Sequence, residues 1–174
     1  MKCIINNKNG FTIIEILVSL TVFSFVLLVV ISSLFFMTDA SYKTKADREA
    51  LDNARRAMEI ITSEIKGAES IYTPTTTANQ LSLKTRRYLL NDENTTFIDI
   101  FLCGQAICLK KEFQGPVSLI SDSVEAANLS FSQIFNNGRP SVKIDLTIDY
   151  KNTTNNPNND SSVSLSSTVS LRSY

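Results

Sequence analysis

The sequence predicts an α+β chain in which one long N-terminal helix, part membrane-spanning and part amphipathic, packs on an antiparallel β-sheet. Three observations carry this reading. Phe11 to Met37 is a run of 27 residues with a single charged member, Glu15. Leu51, Ala54, Met58, Ile61, Ile65 and Ala68 then recur at helical spacing, with charged residues between them. Past Asn79, apolar and polar residues alternate with period two, interrupted by turn-forming clusters.

The apolar run would form a helix about 40 Å long at 1.5 Å per residue, more than the roughly 30 Å of a bilayer core. It contains neither Pro nor Gly and follows the basic decapeptide MKCIINNKNG. A secretory signal peptide carries its small-residue cleavage site after the apolar stretch. Here Gly10 precedes that stretch, so cutting between Gly10 and Phe11 would leave the helix on the mature chain. Lys2 and Lys8 predict a cytoplasmic N-terminus and an extracytoplasmic C-terminal part, in a single-pass protein of the cell membrane. A carboxylate deep in a membrane helix costs about 2.5–3.5 kcal/mol, and less near its end. Glu15 therefore either snorkels to the headgroups or meets a specific partner.

No proline occurs from Phe11 through Tyr72, and Gly67 is the first glycine after Gly10. The expected arrangement is one helix reaching Tyr72 and loosened near Asp39-Ala40-Ser41; a separate surface helix on a short linker is the alternative. TPTTTAN (73–79) ends it. Strands are expected at Leu81–Leu90, Thr96–Cys103 and Cys108–Phe113, the last two joined around Gly104-Gln105. Asn128–Phe135, the turn NNGRP and Ser141–Tyr150 read as a hairpin, and Val163–Leu171 as a final strand. The apolar sheet face should cover the Leu51–Ala68 stripe. The chain thus divides into a leader (1–10), a membrane and assembly helix (11–37), an amphipathic helix (38–72) and a β-rich head (73–174).

Composition excludes several function classes. Seventeen basic and seventeen acidic residues balance, so no net field favours nucleic acid, and the pairs Arg86-Arg87 and Lys110-Lys111 are isolated. With no histidine, the Ser-His-Asp and Cys-His arrangements and most zinc sites are unavailable. The glycines are scattered, with no phosphate-binding loop, and no cofactor is expected. Asp92-Glu93 and the pair Asp145/Asp149 are expected on solvated surface rather than in a catalytic site. The loop from Asn152 to Asp160 offers oxygen ligands without a bidentate carboxylate at calcium-loop spacing, so no metal is assigned. Four N-x-[ST] matches, at Asn94, Asn128, Asn152 and Asn159, are what an Asn-, Ser- and Thr-rich chain contains by chance. Cys103 and Cys108 have a C-x4-C spacing that fits neither a redox C-x-x-C nor a zinc knuckle. In an oxidising compartment they read as a local disulfide across the hairpin turn, the alternative being two buried free thiols.

The string KNGFTIIEILVSL closely resembles the class III signal of type IV prepilins and type II secretion pseudopilins. The matching features are a short basic leader, Gly10, Phe11 directly after it, Glu15 at the fifth mature position and a long apolar helix. The resemblance implies a pilin-like fold, cleavage between Gly10 and Phe11 by prepilin peptidase, and N-methylation of Phe11. It also implies pairing of Glu15 with the new Phe11 amine of a neighbouring subunit. The partners implied are other pilin or pseudopilin subunits and an inner-membrane assembly platform, with membrane lipid around the helix before assembly into a pilus or pseudopilus. NARRAMEIITSEIKGAESI and TVSLRSY further resemble J-type minor pseudopilins and W-type minor pilins. The chain departs from major pilins in lacking a helix-breaking Pro or Gly within its membrane segment. Two functions compete: a non-enzymatic structural subunit of a pilus, type II secretion or DNA-uptake fibre, and a membrane-anchored binding domain that never polymerises. An anchored enzyme is the weakest of the readings, because no catalytic constellation supports it.

Overall fold

The computed structural model describes residues 12–89, 93–136, 139–152 and 160–171. It has the expected α+β architecture: helix α1 (Ile13–Gly67) is followed by eight strands in two antiparallel sheets. By internal contacts the chain divides into residues 1–41 and residues 42–174.

The first unit contains the start of α1. The backbone N–H groups of Glu15 and Ile16 donate to the Thr12 carbonyl, which opens the helix. Its large apolar side chains from Ile13 to Met37 are all exposed. Such a surface needs lipid or protein around it, and α1 is long and apolar enough to cross a membrane. The helix is continuous through Asp39, Ala40 and Ser41 rather than loosened there.

In the second unit, α1 buries Ala46, Ala50, Asn53, Ala54, Ala57, Ile61, Glu64 and Ile65. The expected stripe is thus rotated: Leu51 and Met58 are half-buried, while alanines on the adjoining row carry the contact. Small side chains let the sheets approach the helix closely. Asn53 can take a core position because both ends of its amide are bonded. Its Nδ2 donates to the Glu49 carbonyl (2.9 Å), and its Oδ1 accepts the Ser121 N–H (2.9 Å).

The helix stops at Gly67, five residues before the expected Tyr72. Ala68 N–H closes a final short turn on Ile65 O, and Glu69 N–H already donates to Lys84 O at 2.8 Å. Ser70–Ile71 then forms β1 against β2 (Gln80–Thr85). Glycine disfavours helix, and the open edge of β2 offers Ser70 and Ile71 a competing ladder.

The first sheet runs in sequence order β1-β2-β3-β4-β5, with β3 at Thr96–Cys103, β4 at Ala106–Lys111 and β5 at Val117–Ser118. Its inner face places Leu81 opposite Ile100, Leu83 opposite Ile98, and Ile100 opposite Leu109. Thr96–Cys103 matches expectation. Strand β2 ends at Thr85 rather than Leu90, however, because the chain turns at Arg86-Arg87-Tyr88, where Tyr88 takes φ +63°. Strand β4 begins two residues before Cys108 and ends before Phe113. The short β5 escapes a pattern reading, since two residues show no period.

The second sheet is β6 (Val124–Asn136), β7 (Arg139–Tyr150) and β8 (Ser162–Ser170), in that order. One sheet was expected; there are two. Strand β6 starts four residues before Asn128 because a bulge between Ala126 and Asn128 shifts its register. Val124 and Ala126 face the core on one side of the bulge, Leu129 and Phe131 on the other. The period-two pattern therefore breaks at residue 127 although the strand does not. In β7, Val142, Ile144, Leu146 and Ile148 all point inward as expected. Both sheets and the 50–68 segment of α1 share one apolar core.

Candidate functional site

Glu15 lies in the first turn of α1 and is exposed. At spacings of three and four it shares a helix face with Val18, Ser19, Val22 and Val26, which line one shallow apolar groove with it. A carboxylate at a helix start is favoured by the backbone dipole. The hydroxyls below it turn back onto their own helix. Ser19 donates to Glu15 O (2.7 Å), Thr21 to Val18 O (2.8 Å) and Ser24 to Leu20 O (2.9 Å). Ser32 and Thr38 donate in the same way to the carbonyls of Leu28 and Leu34. Gly10 and Phe11 lie outside the described residues, so the predicted cleavage point is placed in sequence alone.

In the head, Cys103 and Cys108 form the expected disulfide, with Cα atoms 5.8 Å apart. Cys103 pairs with Ala106 across the β3–β4 hairpin and Cys108 pairs with Phe101, so the two cysteines are diagonal neighbours on one sheet face. Gly104 has φ +67°, the left-handed conformation that the tight turn requires.

The other acidic candidates separate. Asp145 accepts a hydrogen bond from Lys143 Nζ at 2.9 Å. That bond, followed by one from the Ser166 hydroxyl, holds its pKa below the usual carboxylate value. Asp149 departs from a plainly solvated position: its Oδ1 is buried and has no hydrogen-bond partner among the described residues. It borders a cavity of about 640 Å³ with Glu125 and Asp160, where Asn152 Nδ2 donates to Asp160 Oδ1 at 2.7 Å. Among the described residues, no group of three acidic, Cys or His side chains is arranged to hold a metal. Asp92 and most of the Asn152–Asp160 loop lie outside the described residues. Arg86 is paired with Glu69 at 3.0 Å, on the surface.

Glu64 was invisible as a special residue in the sequence. It is buried against the sheets, Tyr88 Oη donates to its Oε1 at 3.1 Å, and its Oε2 has no partner among the described residues. Lys111 Nζ stands 3.6 Å from the centre of the Tyr88 ring. Burial of the Tyr88 phenol, then the charge of Glu64 and the bond to it, raise the Tyr88 pKa. The position of Glu64 between Ile61 and Ile65, on the buried row, is the signal that could have singled it out.

The first unit offers an apolar helical stretch long enough for a membrane, and the second a folded α+β head with its own core. Residues 5–31 match the family model of the prokaryotic N-terminal methylation motif, a span that contains Gly10, Phe11 and Glu15. No curated protein and no solved structure matches the chain. The motif supports a type IV pilin-like protein, membrane-anchored by its N-terminal helix, processed by prepilin peptidase and assembled with other pilins.

Proposed function

We propose that the chain is a minor pilin or pseudopilin, a structural subunit of a type IV pilus, type II secretion or DNA-uptake fibre, and not an enzyme. Prepilin peptidase cuts between Gly10 and Phe11 and the new Phe11 amine is methylated. Before assembly, residues 11–37 lie in the inner membrane with the N-terminus cytoplasmic and the head outside. Residues 38–72 then lead into the head at 73–174.

The observation that carries this reading is the place of Glu15: a lone carboxylate in the first helical turn, at the fifth position after Gly10. In a low-dielectric setting an unpaired charge is expensive, and pairing with an ammonium removes most of that cost. When helices pack side by side with a stagger, Glu15 of one subunit meets the Phe11 amine of the next. The pair then selects the stagger that satisfies both charges. A J-type or W-type position in the fibre is supported by the texts NARRAMEIITSEIKGAESI and TVSLRSY.

The second reading is a membrane-anchored binding domain that does not polymerise. It is favoured by the separateness of the head, which owns its core and an open surface groove. Glu15→Ala distinguishes the two: it should abolish incorporation into a fibre and leave membrane insertion intact. Normal incorporation of that variant would refute the register role. Mass spectrometry of the mature N-terminus should find N-methyl-phenylalanine; an intact Met1 in cells that hold the peptidase would refute processing.

A further inference from the structure

The two edges of the second sheet are treated differently. The outer edge of β6 is tied to the neighbouring sheet region: Ala126 N–H donates to Gln105 O and Phe131 N–H to Ala78 O, both at 2.8 Å. Among the described residues, strand β8 pairs with β7 alone. Its nine residues, SVSLSSTVS, contain no charge, no Pro and no Gly. Natural edges are commonly guarded by Lys, Pro or a bulge, because a free row of N–H and C=O groups invites another strand. None of those guards is present on β8.

A groove of about 610 Å³ runs between β8 and α1. Met58, Thr62 and Leu165 contribute to its lining. Arg55, Lys66 and Arg87 also line it, with Glu59 as the one acidic lining residue. None of these three cations makes an ion pair among the described residues. The Arg87 guanidinium packs where a Cβ on Gly67 would sit, which holds it at the end of the groove. From Arg55 to Lys66 the helical wall is about 16 Å long, the span of about five residues of extended chain.

We propose that this groove binds an extended segment of another extracytoplasmic polypeptide, which adds as a strand to the free edge of β8. The inward side chains of that segment are apolar at its centre, over Met58 and Leu165, and carboxylates at its ends, facing Arg55, Lys66 and Arg87. Backbone pairing supplies the attachment and the charge pattern selects the partner. The surface requires no polymerisation, so it stands or falls separately from the role of Glu15.

The test uses the full chain in detergent micelles and the end-capped heptapeptide Glu-Thr-Val-Thr-Val-Thr-Glu. Fluorescence anisotropy should show saturable binding, and hydrogen exchange should show new protection of amides between Val163 and Val169. The same peptide with both Glu replaced by Lys should bind at least about tenfold more weakly. The exposed pair Arg55→Glu with Lys66→Glu should reverse that preference. A peptide N-methylated at alternate residues, which cannot complete the ladder, should not bind. Absence of saturable binding, equal binding of the Glu and Lys peptides, undiminished binding of the N-methylated peptide, or protection elsewhere in the head would each overturn the proposal. So would self-association of the chain through β8 that the peptide cannot displace, which would make a second copy the occupant.

Discussion

Removing the Cys103–Cys108 link by Cys103→Ala with Cys108→Ala should destabilise the head by a small amount that the topology sets. The two cysteines are five residues apart, across one tight hairpin. In the loop-entropy description, closing a loop of about six residues removes about 7.4 cal/mol/K from the unfolded chain, or about 2 kcal/mol at 25 °C. Alanine avoids placing a hydroxyl at Cys108, which is 6% exposed, and the hairpin keeps its ladder from Ile98 to Cys103. The expected cost is therefore close to the entropic figure, a fall in Tm of about 6–10 °C for a head of this size. Urea unfolding of the full chain in detergent, followed by tyrosine near-ultraviolet circular dichroism, measures it; tryptophan is absent. The wild type treated with dithiothreitol should unfold with the double variant. A loss under about 0.5 kcal/mol, or an altered slope against urea, would refute the local-loop reasoning.

Ile61→Ala should cost about 3–4 kcal/mol, since Ile61 is fully buried between α1 and the sheets and leaves a cavity there; denaturant unfolding checks it. Glu64→Met should leave stability unchanged or raise it, because it removes a buried carboxylate with one unpartnered oxygen, and the half-exposed Tyr88 hydroxyl can turn to water. A loss above about 1 kcal/mol would show that the Tyr88–Glu64 bond contributes more than the buried charge costs. The fold favours protonated Tyr88, so its contribution is complete below the usual phenol value near 10 and disappears as pH rises through the higher folded value. Thermal melts between pH 9 and 12 should therefore show an alkaline loss that Tyr88→Phe reduces.

Where one period governed an element, its sequence pattern was enough to place it. Thr96–Cys103 and the inward residues of β7 fit a pure two-residue alternation, and the apolar start of α1 has no competing reading. The failures lie where two forces compete. Gly67 and an open β2 edge drew Ser70 and Ile71 out of the helix. The bulge at residue 127 displaced half of β6 by one position and hid its start. Leu51 and Met58 outranked Ala46, Ala50 and Ala57 on hydropathy, but closeness to two sheets favoured the small side chains. Glu15 stands out in the sequence as the one charge in a 27-residue apolar run. Glu64 reads as one more solvated charge of an amphipathic helix, although it lies between Ile61 and Ile65 on the buried row. The groove beside β8 has no sequence signature, since it arises from which strand ends the sheet.

The back-bonded hydroxyls of the apolar helix bear on how this chain could change solvent. Ser19, Thr21, Ser24, Ser32 and Thr38 spend their protons on carbonyls of their own turn, so each side chain carries its acceptor with it. Moving such a helix from acyl chains into a bundle of protein helices breaks none of these bonds. The hydroxyls, being already satisfied, also give neighbouring helices little to recognise. Of the polar groups named along this stretch, Glu15 alone has an unmet electrostatic demand that differs between the two surroundings. On the proposed assembly, the helix leaves lipid at low cost everywhere except at its head, where the outcome depends on whether a cation is waiting.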